Sequence, residues 1–179
     1  MNATAVLDAI ARKHSGCALV REVVVEDSER RAAQRAFYKT QHPGFAEKYW
    51  PEAEDYTEDH GRILDTHKPF RRIDALMLDG GGTRTAIEVK ISRADFLRET
   101  EEKRRPWRKI TNRFVYATPA GLLKPVEVPD GCGLWEVDER GVRIVKRAKS
   151  NPTPDPIPHQ VLVALAYRLN RIPLGGQQQ

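Results

Sequence analysis

An α/β fold, with a central mixed sheet of four to five strands flanked by helices, is what the 179-residue sequence predicts, and three observations predict it. Two short apolar runs, residues 72–78 and 85–91, flank Asp79-Gly80-Gly81-Gly82-Thr83-Arg84 and read as a β-hairpin, because glycines supply the backbone freedom of a tight turn. A helical pattern beginning at Ser92 leads into another apolar run, Phe114-Val115-Tyr116-Ala117, which gives strand–helix–strand alternation. A second pair of runs, 134–137 and 142–145, is separated by Asp138-Glu139-Arg140-Gly141 and reads as a closing hairpin.

Each remaining element follows from local pattern. Residues 3–13 read as a helix, with Val6, Ala9, Ile10 and Lys13 at helical spacing and Gly16 shortly after its end. Residues 17–25 are rich in β-branched side chains and suit a first strand. The polar stretch from 27 to about 50 favours helix but is interrupted at Pro43-Gly44. Together with an acidic connection over 51–61 it forms an expected helical insertion over 27–68. Ser92 with Asp95 three residues on resembles a capping box, and the helix it starts should run to about Arg105, where Pro106 stops it. Ala94 and Leu97 should pack on the sheet while Arg93, Arg98 and the following glutamates face solvent. Four prolines in 150–158 make a stiff connector, 161–169 a short apolar helix and 175–179 a disordered tail. The domain is thus expected over 1–149, with 150–179 appended.

Composition narrows the class. A net charge of +5 and 31% charged residues describe a polar surface, with no apolar run near the roughly 20 residues that span a bilayer. The first residues lack a signal peptide's pattern, and Cys17 and Cys132 stand far apart without ligand spacing, so a cytoplasmic protein with free thiols is expected. The five histidines and two cysteines are scattered, which argues against zinc. Gly80-Gly81-Gly82 lacks the Lys-Ser/Thr of a phosphate-binding loop, and no serine or cysteine sits in a nucleophile elbow. Charge is unevenly placed. Residues 103–113 carry six basic side chains and no acid, residues 140–149 five and none, whereas 47–59 carry six acids against Lys48 alone. Such asymmetry suits a polyanion bound on one side, although solvated faces produce charge runs too.

The hairpin carries the chemistry. Side chains alternate along a strand, so Glu88 and Lys90 share a face, and a hairpin centred on Gly81 sets Asp74 opposite Glu88. Like charges directly opposed on a sheet destabilise it, so the pair needs a cation, and Mg²⁺ suits one or two carboxylates with water and phosphate. The bland alternative is an exposed face on which Lys90 is a salt-bridge partner, an arrangement worth at most about 1 kcal/mol.

Asp74 and Glu88-Val89-Lys90 resemble the signature of the PD-(D/E)xK nuclease superfamily. Through Ile91-Ser92-Arg93-Ala94-Asp95-Phe96-Leu97 and Asn112-Arg113-Phe114-Val115-Tyr116-Ala117 the chain resembles its MmcB-like DNA-repair and phage branch, over roughly 70–148. Ile73 stands where a proline often precedes the aspartate. The resemblance implies a restriction-endonuclease-like core and a metal-dependent deoxyribonuclease acting in repair, recombination or phage DNA processing. It implies Mg²⁺ or Mn²⁺ on Asp74, Glu88 and the Val89 carbonyl, with Lys90 orienting water or stabilising the transition state; whether Lys90 acts as a base stays open. Family members often add an upstream acid. Glu22 is the first candidate, against a strand-end salt bridge, and Asp8 the rival. Arg104, Arg105, Arg108 and Lys109 are the expected nucleic-acid contacts, with Trp107 either stacking on a base or plugging the core. DNA is the expected partner, its strand state open; a homodimer is allowed and a membrane is not expected. A non-catalytic nucleic-acid-binding module on the same fold is the alternative, and a structural or regulatory partner protein the third reading.

Overall fold

A computed structural model of the chain describes residues 1–66 and 70–169, so the tail expected at 175–179 lies outside the described residues. The chain divides into two compact units, Met1–Val24 with Arg72–Gln179, and Val25–Arg71.

The strands are β1 (Ala18–Glu26), β2 (Phe70–Leu78), β3 (Arg84–Val89), β4 (Arg113–Pro119), β5 (Gly133–Asp138) and β6 (Gly141–Lys146). They form one six-stranded sheet whose spatial order follows the sequence. The fold is α/β with a mixed sheet: β2–β3 and β5–β6 are antiparallel, β3–β4 and β4–β5 parallel. Four to five strands were expected; six form, because β1 joins one edge and both arms of the closing hairpin pair into the same ladder.

The glycine turn behaves as its residues require. Asp79 Oδ1 accepts from the Gly81 and Thr83 amides at 3.0 and 2.8 Å, and Gly82 takes a φ of 81° that a side chain would oppose. The ladder runs from Ala75 opposite Ile87 to Leu78 opposite Arg84, a register centred on Gly81.

Helix α1 (Ala3–Lys13) starts at Asn2, whose side chain caps the Ala5 amide at 2.9 Å. It buries Val6, Leu7, Ala9 and Ile10 against one sheet face made of Ala75, Met77, Ile87, Val89, Val115, Ala117, Trp135 and Val137. Period-two alternation therefore sends Asp74 and Glu88 to the opposite face.

That opposite face is covered differently from expectation. The helix from Ser92 is two helices, α5 (Arg93–Leu97) and, after a break at 98–100, α6 (Glu101–Ile110). Ser92 Oγ does cap the Asp95 amide, at 3.2 Å. Pro106, however, lies inside α6 rather than stopping it. Burial of Pro106, Trp107 and Ile110 overrides the backbone bond that proline forfeits. Ala94 and Leu97 are exposed instead of packing on the sheet.

Within Val25–Arg71, α2 (Ser28–Gln41) is capped by the Asp27 carboxylate, and α3 (Pro43–Tyr49) begins with proline at its first position, where no amide is lost. The stretch read as an acidic connection holds a further helix, α4 (Glu58–Thr66), with Glu58 and Asp59 in its first turn. Its start is marked by Thr57, whose amide donates to His60 Nδ1 at 3.1 Å. Helix α7 (His159–Leu169) docks through the fully buried Val161. Among the described residues no helix is long and apolar enough to cross a membrane.

Candidate active site

The site is built at the end of the β2–β3 hairpin. One step beyond the Ala75–Ile87 pair, positions 74 and 88 oppose each other, and there the Asp74 side chain takes over from the backbone ladder. Its Oδ2 accepts from the Val89 amide at 2.7 Å. On the other edge of β3 the Lys90 amide donates to Ala117 O at 3.0 Å. Amide and carbonyl of one extended residue point to the same side, so the Val89 carbonyl is directed toward β2, the side of Asp74.

Lys90 joins three acids. Its Nζ lies 2.8 Å from Glu88 Oε1, 2.8 Å from Glu99 Oε2 and 3.8 Å from Asp95 Oδ2, with only 5% of the lysine side chain exposed. A buried ammonium is costly unless paired, and Glu99, itself 6% exposed, supplies the second partner. Neither Asp95 nor Glu99 was among the expected site residues. Asp95 lies on α5, but Glu99 falls in the break between α5 and α6, so no helical spacing in the sequence marks the two as a pair on Lys90.

Electrostatics follow from burial and crowding. Burial pushes the Glu88 carboxyl up to about 7, and Asp74 and Glu99 add to this against the pull of Lys90. Burial also raises the Asp74 pKa, opposed by the Val89 amide, Lys90 and Arg72. Burial alone would lower the Lys90 pKa, but Glu88 and Glu99 outweigh it and hold the ammonium above its ordinary value. Two carboxyls that resist ionisation beside one locked cation make an acidic, charge-frustrated pocket.

Other expected residues are placed elsewhere. Glu22 is exposed in the middle of β1, pairs with Arg72 Nη1 of β2 at 3.6 Å and adopts a φ of 51°, so its salt bridge is a cross-strand one and not at a strand end. It reaches Arg72, two residues along β2 from Asp74, and not the carboxylate pair. Asp8 pairs with Arg21 at 2.5 Å from α1, the helix packed on the other sheet face. Trp107 is 1% exposed and therefore plugs the core; a base-stacking role is not open to a side chain so enclosed. Arg104 is buried too, bonded to Glu101 Oε2 at 2.7 Å and to the Tyr116 hydroxyl at 3.2 Å, so it braces α6 on β4 and is not presented to a ligand. Arg105, Arg108 and Lys109 line a surface cleft instead.

The donor set accommodates a hard divalent ion in part. Two adjacent carboxylates and a carbonyl directed to their side are oxygen ligands, and the repulsion from Asp74 that adds to burial in raising the Glu88 pKa would be relieved by a cation. Among the described residues, however, no cluster of three or more His, Cys, Asp or Glu side chains is arranged to hold a metal. Any ion would rest on two carboxylates and the Val89 carbonyl, with Lys90 on Glu88 Oε1 as its competitor.

No family model matches the chain, and no curated protein matches it. A solved structure of a protein of unknown function from Silicibacter pomeroyi is similar to it at 28% identity, covering 59% of this chain and 74% of that one, with a TM-score of 0.42. That likeness is too distant to transfer fold or function.

Proposed function

We propose that the chain is a metal-dependent nuclease of the PD-(D/E)xK kind, hydrolysing DNA phosphodiester bonds on a restriction-endonuclease-like core. The observation that carries this reading is the opposition of Asp74 and Glu88, two carboxyls with raised pKa, with Lys90 on the same strand face. Asp74, Glu88 and the Val89 carbonyl would hold Mg²⁺ or Mn²⁺, which lowers the pKa of a bound water and offsets charge on the scissile phosphate.

The chain's own groups supply orientation and charge. The Val89 amide fixes Asp74 Oδ2, so one lone pair is spent on the backbone and the rest face the site. Glu99 tethers the Lys90 ammonium from one side, so that when Glu88 turns to a cation Lys90 keeps a partner and its position. An ammonium held above its ordinary pKa is a poor proton acceptor, so Lys90 acts as a fixed positive charge toward a phosphate oxygen and not as a general base.

A specific observation supports the second reading, a non-catalytic nucleic-acid-binding module: Lys90 already neutralises Glu88 at 2.8 Å. Cleavage assays decide between them. Labelled single-stranded, duplex, flap and junction DNA should be cut only with Mg²⁺ or Mn²⁺, and Asp74→Asn, Glu88→Gln and Lys90→Ala should each abolish cutting without unfolding the protein. Residues acting as a unit are non-additive, so the triple variant should be scarcely worse than a single one. Retention of most activity by Glu88→Gln would refute the assignment.

A further inference from the structure

A cleft in the unit formed by Met1–Val24 and Arg72–Gln179 lies away from the carboxylate pair. It has a volume of about 600 Å³, within the ordinary range of ligand sites, and Arg105, Arg108, Lys109, Arg113 and Lys149 line it against only Glu101 and Asp155. Arg108 Nη1 pairs with Glu101 Oε1 at 3.2 Å, so the cleft's cations are partly neutralised but still outnumber its acids.

The chain invests backbone geometry in keeping them there. The proline-rich connector, expected only as a stiff spacer, is tied down as the cleft wall. The Asn151 amide donates to Asn112 O at 2.8 Å and Asn112 Nδ2 donates back to Asn151 O at 3.0 Å. The Asp155 amide donates to Lys109 O at 2.9 Å, and the Arg84 guanidinium donates to the carbonyls of Asp155 and Pro154 at 2.8 and 3.2 Å. The Lys149 amide donates to Gly131 O at 3.0 Å. Gly131 has a φ of 78°, and a Cβ there would come within 3.1 Å of Arg108 Nη2, so glycine makes room for the guanidinium.

We infer that this cleft is a phosphate-binding anchor for a nucleic-acid backbone, separate from the proposed cleavage site. The inference rests on the nucleic-acid reading above and adds where the strand is held. The lining argues for backbone and not base recognition: Trp107 is enclosed and Phe114 only 4% exposed, so no aromatic face is offered for stacking. Arg113 and Glu88 project to opposite sheet faces, and it is the distance between their levels along the strands that is short. Arg113 pairs with Thr85 and Tyr116 with Glu88, so three residues of strand, about 10 Å, separate the levels of cleft and carboxylates. That is on the order of three nucleotide steps along one duplex strand.

The test is oligonucleotide binding in EDTA, where cleavage cannot occur, read by fluorescence anisotropy across a salt series. A labelled single-stranded oligonucleotide should bind wild type with a steep salt dependence. Lys149→Ala combined with Arg113→Ala should lower the log–log slope by about 1.4, since each single-strand phosphate contact contributes about 0.7. Circular dichroism checks folding; if the double variant is unfolded, Lys149→Glu is measured in its place and should weaken binding at low salt. A wild-type slope in the folded double variant, or wild-type affinity in folded Lys149→Glu, would overturn the anchor. Displacement of the oligonucleotide by equimolar ATP would equally overturn a strand as the occupant in favour of a free nucleotide. Cleavage by Asp74→Asn is scored separately. Intact wild-type cutting with slope-neutral cleft variants removes only the anchor, whereas slope loss without any metal-dependent cutting removes only the nuclease reading.

Discussion

The Lys90 ammonium touches two carboxylates at 2.8 Å, and that contact decides which chemistry it can perform. With Glu88 and Glu99 both on Nζ, proton loss is disfavoured and an electrostatic role is what remains. The neighbouring carboxyl has the opposite problem. Glu88 is pushed up to about 7 in the folded chain, whereas an unfolded glutamate titrates near 4.5. A raised carboxyl pKa means the folded state binds the proton more tightly. Its stabilising contribution is therefore full below about 4.5 and is lost as pH rises through about 7, an amount of about 3 kcal/mol. Urea unfolding of the metal-free protein in EDTA should show wild type losing stability between about pH 4.5 and 7, and Glu88→Gln should flatten that slope. An unchanged slope in the variant would show that Glu88 ionises normally. At this scale the sequence was legible where alternation alone decides: Asp74, Glu88 and Lys90 meet on one face because strands have period two. Glu99 was not legible as a partner. It opens the run Glu99-Thr100-Glu101-Glu102, which reads as a solvated helix face, and only the break at 98–100 turns it back onto Lys90.

Helix α6 shows how packing overrides local rules. Proline in a helix interior costs about 3 kcal/mol, yet Pro106 is retained because the residues around it bury a continuous apolar surface. Trp107 is the largest side chain of that surface and is 1% exposed. Trp107→Ala should therefore cost about 3–5 kcal/mol in chemical denaturation. Nucleic-acid affinity of the fraction that stays folded should be unchanged; a loss of affinity with little loss of stability would mark a stacking residue. The same logic explains which elements could be read beforehand. Helix α1, the β2–β3 hairpin, β4 and the β5–β6 hairpin each carry their own periodicity and turn residues, so their pattern survives any packing. The α5–α6 break carries no such mark, and α4 carries only Thr57 before its acidic first turn. The acidic stretch at 98–102, where Thr100 makes no side-chain cap, becomes a helical end only once a neighbouring surface fixes it.

For the whole molecule, the consequence of opposing Asp74 and Glu88 is that folding leaves an anionic pair short of positive charge. Anything that binds the folded chain there adds stability as RT ln(1 + [L]/Kd), about 2.7 kcal/mol at a hundredfold excess over Kd. The apparent melting temperature should accordingly rise with Mn²⁺ or Mg²⁺ and fall back on adding EDTA. Asp74→Asn should lose much of that shift. Because the amide oxygen can still accept from the Val89 amide while one of two like charges is gone, the same variant should melt higher than wild type when no metal is present. The two effects have opposite signs in one variant, which a general loss of stability could not produce. Lys90 competes with an ion for Glu88, so the metal shift should be larger in Lys90→Ala than in wild type. A melting temperature indifferent to millimolar metal in all three proteins, and still indifferent with a non-cleavable oligonucleotide bound, would leave Lys90 as the permanent counter-ion of Glu88 and favour the binding module over the nuclease.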